Sequence, residues 1–146
     1  MEGTAVPAAG GLVIVRPTER VSDPGDQTSG MRRESGVAPR TAGSRALWAG
    51  HVTTPPGAIS GVHHHGDAES AVYVLSGRAR FRWGERLEHE AIAEPGDFVY
   101  VPPRLIHEEE NLSSTEPVVF VVARNSASLL TVNVASPEEV GTPEGA

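Results

Sequence analysis

Three consecutive histidines, His63, His64 and His65, stand in the middle of a 146-residue chain that has six in all. They lie just before a run, Ser70 to Gly77, that alternates as a β-strand does. Residues two apart on a strand point the same way, so His63 and His65 share a face and His64 takes the other. Two imidazoles at that spacing can chelate one ion. A pair does not close a site, and the obvious third donor is His107, which ends the run PGDFVYVPPRLIH behind a rigid Pro-Pro corner. His51, in the strand before the turn Pro55-Pro56-Gly57, and Glu69 are the candidates for a fourth donor. His89, between Glu88 and Glu90, reads as solvent-exposed. The acidic run Glu108-Glu109-Glu110 reads as a solvated mouth or edge, one member of which could touch substrate.

The composition narrows the chemistry. There is no Cys, which removes thiolate ligands, disulfides and cysteine nucleophiles. All 12 basic residues are Arg, which removes lysine Schiff bases. A net charge of −7 argues against nucleic acid or an anionic membrane as partner. Imidazole and carboxylate donors without thiolate suit Fe(II), Mn(II), Ni(II), Cu(II) or Zn(II). Three or four protein ligands leave positions open for water or substrate, which means catalysis rather than a structural staple.

The elements that must position these side chains are short. Residues 1–45 hold one β-like run, Gly11 to Val15, followed by a stretch rich in Gly, Pro, Ser, Thr and charge. That stretch reads either as a flexible arm or as a loop ordered over a cavity or a second subunit. From Arg45 the texture changes to apolar runs bounded by Gly and Pro: ALWAGHVT, AISGVHHH, SAVYVLSG, RARFRWG, RLEHEAIA, FVYVPP, EPVVFVVAR and ASLLTVNV. Such runs predict antiparallel strands, and in Arg78 to Trp83 the arginines fall on one face and the apolar residues on the other. The expected organisation is an N-terminal arm over 1–45, an all-β barrel or sandwich over 46–134 and a flexible tail over 135–146. Trp48, Val72, Val74, Phe81, Phe98, Tyr100, Val101 and Ile106 are candidate wall residues of an apolar cavity, which favours a hydrophobic carbonyl or phenolic substrate. No segment approaches the ~20 apolar residues of a membrane span, and no basic region precedes the first apolar run, so the expected location is cytoplasmic.

The spacing carries a family likeness. Gly57, His63, His65, Glu69 and Gly77 follow the pattern G-x5-H-x-H-x(3,4)-E-x6-G, except that six residues back from Gly77 is Ser70 and not Glu69. Gly96, Pro102, His107 and Asn111 follow G-x5-P-x-G-x2-H-x3-N, with Arg104 in place of the inner glycine. The chain therefore resembles the small single-domain metal-binding cupins. The resemblance implies a double-stranded β-helix, a jelly-roll sandwich barrel with one divalent ion at its base: zinc, iron, manganese or nickel, with zinc and iron foremost. It implies His63, His65 and His107 as metal-bound catalytic residues, and a homodimer formed through the early run Leu12 to Val15. With Ser70 in the carboxylate's place, the register favours His51 over Glu69 as fourth ligand, since a neutral four-histidine set makes the ion a stronger Lewis acid. The texture is similar to that of bacterial polyketide cyclases of antibiotic biosynthesis, which fold poly-ketones by aldol condensation and dehydration, with a Lewis-acid metal and a histidine moving protons. The alternatives are a metal-dependent dioxygenase of a diketone or catechol-like compound, and a non-catalytic small-molecule binding module.

Overall fold

The computed structural model describes residues 10–22, 28, 30–128 and 131–134. Among these residues ten strands, β1 (Arg32–Val37), β2 (Trp48–Thr54), β3 (His63–His64), β4 (Ser70–Ser76), β5 (Ala79–Trp83), β6 (His89–Ala93), β7 (Phe98–Val101), β8 (His107–Asn111), β9 (Val118–Arg124) and β10 (Val132–Asn133), form two sheets. Their orders are β1-β2-β9-β4-β7 and β10-β3-β8-β5-β6, with every pairing antiparallel. This is a jelly-roll sandwich, the all-β class expected from the apolar runs. Among the described residues no helix is long and apolar enough to cross a membrane.

Strand parity builds the interior. β2 buries Trp48, Gly50, Val52 and Thr54 and half-buries the residues between them. Its neighbour β9 buries Val118, Phe120, Val122 and Arg124. From β4 come Val72 and Val74, and from β5 Ala79 and Phe81, whose ring meets Phe120 across the sandwich at 5.8 Å between centroids. Alternation of this kind is what a sheet with one buried face demands.

The polar stretch over 17–45 is partly built into the sheet. Strand β1, for which the sequence RRESGV carries no apolar alternation, pairs with β2 and brings Arg33 and Ser35 into the interior. The sheet thus begins before the expected boundary at 46, while the expected tail over 135–146 lies outside the described residues. Gly11 to Val15 forms no strand; Leu12 and Ile14 are exposed.

Two motif residues have structural duties. At Gly77, φ is +87°, and a Cβ there would lie 2.7 Å from the Pro117 carbonyl oxygen, so only glycine fits that turn. Arg104 stands at φ +61°, the left-handed region that explains a glycine at that place in the motif pattern. Here the turn is held by the Arg104 N–H donating to Gly66 O at 2.7 Å and the Arg104 Nε to Asp67 Oδ1 at 2.7 Å.

Candidate metal centre

His63 and His107 sit directly opposite one another on β3 and β8, and His65 follows two residues later. Parity and pairing therefore deliver three buried imidazoles to one point, with donor atoms all within 4.8 Å of one another. Ring centroids are 4.3 Å apart for His63 and His107, 4.8 Å for His63 and His65, and 5.3 Å for His65 and His107.

The backbone fixes which nitrogen faces the centre. His63 Nδ1 lies 2.8 Å from Gly61 O, and His107 Nδ1 lies 2.8 Å from Leu105 O. A carbonyl accepts only, so both Nδ1 atoms carry hydrogen and the Nε2 atoms are left to face inward. His63 Nε2 is buried with no hydrogen-bond partner. This is the second-sphere arrangement that orients metal-binding imidazoles.

Burial, and next the charge of His107, lowers the pKa of His63 from 6.5 to about 4. His63 is therefore neutral, and a competent donor, at physiological pH. The unfolded chain takes up a proton near pH 6.5 that the folded His63 refuses until about pH 4. Stability present above the unfolded value is therefore lost as pH falls through that window. The expected loss for metal-free protein between pH 7 and pH 5 is about 2 kcal/mol, read by urea denaturation in chelator. His63→Ala should flatten this part of the profile; an equally steep profile in that variant would assign the effect elsewhere.

The two proposed fourth donors lie outside this cluster. His51 is on the outward parity of β2, opposite Glu34 and Val121, where it lines a shallow groove with Val15, Pro17 and Arg20. Trp48 and Val52 claim the inward parity, which forces the residue between Gly50 and Val52 outward. Glu69 is exposed; its Oε1 accepts the Tyr100 hydroxyl at 2.9 Å, and its N–H donates to Asn125 Oδ1 at 2.8 Å. The inward place belongs to Ser70, as the count back from Gly77 indicates, and its Oγ accepts Arg124 Nε at 2.8 Å. His64 faces away, accepting the Gly66 N–H at 3.0 Å, and exposed His89 stacks on Trp83.

The acidic run departs furthest from expectation. It is strand β8, with Glu108 and Glu109 buried. Glu108 and Glu110 point to the outer face, where they pair with Arg82 and Arg80 of β5. Glu109 points inward, its Oε2 3.1 Å from His107 Nε2 and 3.7 Å from His63 Nε2. Burial pushes its carboxyl up, but the close contact with His107 and the positive charge around it, Arg33 included, outweigh that and hold it at about 2. Asn111, last of the inward set, is a clamp: its Nδ2 lies 2.8 Å from Glu116 O and 3.1 Å from both Thr54 O and Pro55 O.

Two spaces adjoin the cluster. An inner cavity of about 20 Å³ is lined by His65, His107, Glu109, Arg33, Arg124 and apolar side chains. Arg124 is buried with its Nη1 unpartnered, and burial, followed by the charge of Arg33, lowers its pKa to about 10, still cationic at neutral pH. An outer cleft of about 520 Å³ opens between the free edges β6 and β7, lined by Phe81, Trp83, Phe98, Tyr100, Val101 and Leu105 among others, and reaches His107. Of the wall residues expected from sequence, Phe81 and Val101 border both spaces, Phe98 and Tyr100 the outer and Val72 the inner. Arg33, Arg124 and Glu109 were not singled out by sequence reasoning; for Glu109 the signal was its place two residues beyond His107.

Comparison with known proteins agrees with this geometry. The family model described as Cupin domain matches residues 50–124. A solved structure of oxalate decarboxylase from Bacillus subtilis at pH 4.6 superposes with a TM-score of 0.63 at 25% identity, over 74% of this chain and 28% of that one. Oxalate oxidase in complex with the substrate analogue glycolate superposes with a TM-score of 0.64 at 20% identity, over 73% of this chain and 56% of that one, a likeness of fold. This chain thus spans less than a third of the length of the first and little more than half of the second. No curated protein matches it in sequence.

Proposed function

The chain belongs to the cupin domain family, and from that premise we propose that it is a metal-dependent enzyme, acting in the cytoplasm on a hydrophobic carbonyl substrate by aldol-type cyclisation and dehydration, as a polyketide cyclase does. The observation that carries this reading is that His107 belongs both to the histidine cluster and to the wall of the apolar cleft. His63, His65 and His107 would hold one divalent ion. Such an ion supplies Lewis acidity, which polarises a ketone and lowers the cost of its enolate.

The chain's own residues supply the rest. Phe81, Val101 and Leu105 hold an apolar chain against His107 and keep water from it. The unpartnered Arg124 Nη1, in the cavity it shares with His65 and His107, offers a preorganised donor to a developing oxyanion. At the rim, the Tyr100 hydroxyl bonded to Glu69 is a phenol–carboxylate pair able to pass a proton to or from the cleft. The exposed Leu12 and Ile14 support the further proposal that the active form is a homodimer.

The test is incubation of metal-replete protein with a linear poly-β-ketone under anaerobic conditions. An aromatic chromophore should develop without oxygen uptake, be abolished by chelator, and be lost in Leu105→Arg, which fills the cleft while leaving the histidines. Product formation that requires stoichiometric oxygen would replace this reading with the dioxygenase one. A second reading has its own observation, the small inner cavity with two buried arginines, which suits a small carboxylate. Oxalate, the compound named in the two structural likenesses, is the substrate to assay for it.

A further inference from the structure

We infer that Glu109 is the fourth protein ligand of the metal ion, its carboxylate supplied by the strand of the second motif rather than by the segment after the histidine pair. The inference rests on the metal reading above.

The geometry is that of a first-sphere donor. Ligand atoms about 2.1 Å from a common ion stand about 3.0 Å apart at right angles and about 3.4 Å apart in a tetrahedron. Glu109 Oε2 lies 3.1 Å from His107 Nε2, between those two edges, and 3.7 Å from His63 Nε2, a few tenths of an ångström beyond the longer one. Both imidazoles have spent their Nδ1 hydrogens on carbonyl oxygens, so each ring in its neutral form turns an Nε2 lone pair toward a carboxylate oxygen. Something positive must stand between them. For His107 a single proton serves, but His63 Nε2 has no hydrogen-bond partner. One cation central to all three atoms satisfies every one of them.

The backbone holds Glu109 ready for this role. Its N–H donates to Ser60 Oγ at 2.9 Å, and its carbonyl accepts the Ser60 N–H at 2.8 Å, which pins the residue from the β3 side. The place where the family pattern puts its carboxylate is meanwhile closed. Ser70 occupies it, and Arg124 Nε is bonded to the Ser70 hydroxyl. A glutamate at 70 would meet a guanidinium; a carboxylate on the opposite sheet supplies the same charge from a free direction. Arg33 and Arg124, in the same cavity, offset part of the cost of this buried carboxylate, and a bound cation would offset more.

The experiment uses the full chain, stripped with chelator and titrated with Co(II) in competition with a chromophoric chelator, for wild type, Glu109→Gln and His107→Ala. Glu109→Gln keeps the shape and removes the charge and the strong donor. The expected result is roughly 100-fold weaker binding together with a changed visible Co(II) spectrum, since a first-sphere ligand matters at least as much as an outer-sphere one. Unchanged affinity in Glu109→Gln, with His107→Ala impaired, would overturn the role of Glu109 and keep the three-histidine site. Weaker binding with an unchanged Co(II) spectrum would also overturn it, because the carboxylate would then act by charge alone. No binding by wild type would remove the metal reading itself. Should Glu109→Gln fail to fold, wild type labelled with 13C-carboxyl glutamate decides: on Zn(II) addition one buried glutamate carboxyl resonance should move, and none moving would overturn the assignment.

Discussion

Protein carrying His63→Ala together with His107→Ala should emerge from chelator-free purification without metal, where wild type retains close to one ion per chain. The two residues are a cross-strand pair, opposite each other on β3 and β8, and both are buried. A four-ligand zinc site supplies roughly 10–16 kcal/mol, or about 3 kcal/mol per ligand if shared evenly. Removing two donors then costs about 6 kcal/mol, an affinity loss on the order of 10⁴-fold. The remaining pair, His65 and Glu109, cannot hold an ion against buffer. The fold should survive, because neither ring belongs to the apolar core, and circular dichroism will show it. Full metal occupancy in the double variant, measured by elemental analysis, would refute the site.

Trp48→Ala should cost about 3–5 kcal/mol of stability, the largest effect expected outside the metal cluster. Trp48 is 1% exposed, and its Nε1 donates to Ser35 Oγ at 2.8 Å, a hydrogen bond tying β2 to the edge strand β1. Its six-membered ring lies over Gly50 so closely that a Cβ there would be 2.5 Å from ring carbons. The ring also carries the Arg124 guanidinium, 5.3 Å from its centroid. Truncation therefore leaves a cavity, an unpartnered Ser35 hydroxyl and an arginine without its platform. Trp48→Phe keeps an aromatic ring and should lose about 1–2 kcal/mol. Urea denaturation of both variants at neutral pH separates the two contributions; equal losses would mean that the indole N–H dominates and the cavity matters little.

The histidine triad was legible because its two determinants are local: spacing of two along one strand, and a Pro-Pro corner ahead of His107. The sheet structure from β2 to β7 was legible for a like reason, since each run carries its own alternation and turn residues. Strand β8 was not. A row of glutamates has low strand propensity and reads as solvated. What makes it a strand is Arg80 and Arg82 on β5, in register with Glu110 and Glu108, a pairing made across about 30 residues of chain. Strand β1 was hidden in the same way, because RRESGV buries Arg33 and Ser35 rather than apolar side chains. The face of His51, by contrast, was readable: Trp48 and Val52 are the large apolar residues of that run, and His51 has the opposite parity to both.

The two faces of β8 have a consequence for how this chain can vary by descent. Side chains at 107, 109 and 111 serve the interior, while 108 and 110 meet arginines outside. Point changes at 108 or 110 alter an ion pair and leave the interior set in place. A single codon gained or lost between the Pro102-Pro103 corner and Asn111 is different, because it reverses the parity of every residue beyond it. Glutamates meant for arginine would turn inward, and the inward set would turn toward the arginines of β5. Lineages of this protein can therefore exchange one cross-strand pair for another on that segment's outer face, but its length is inherited as a unit.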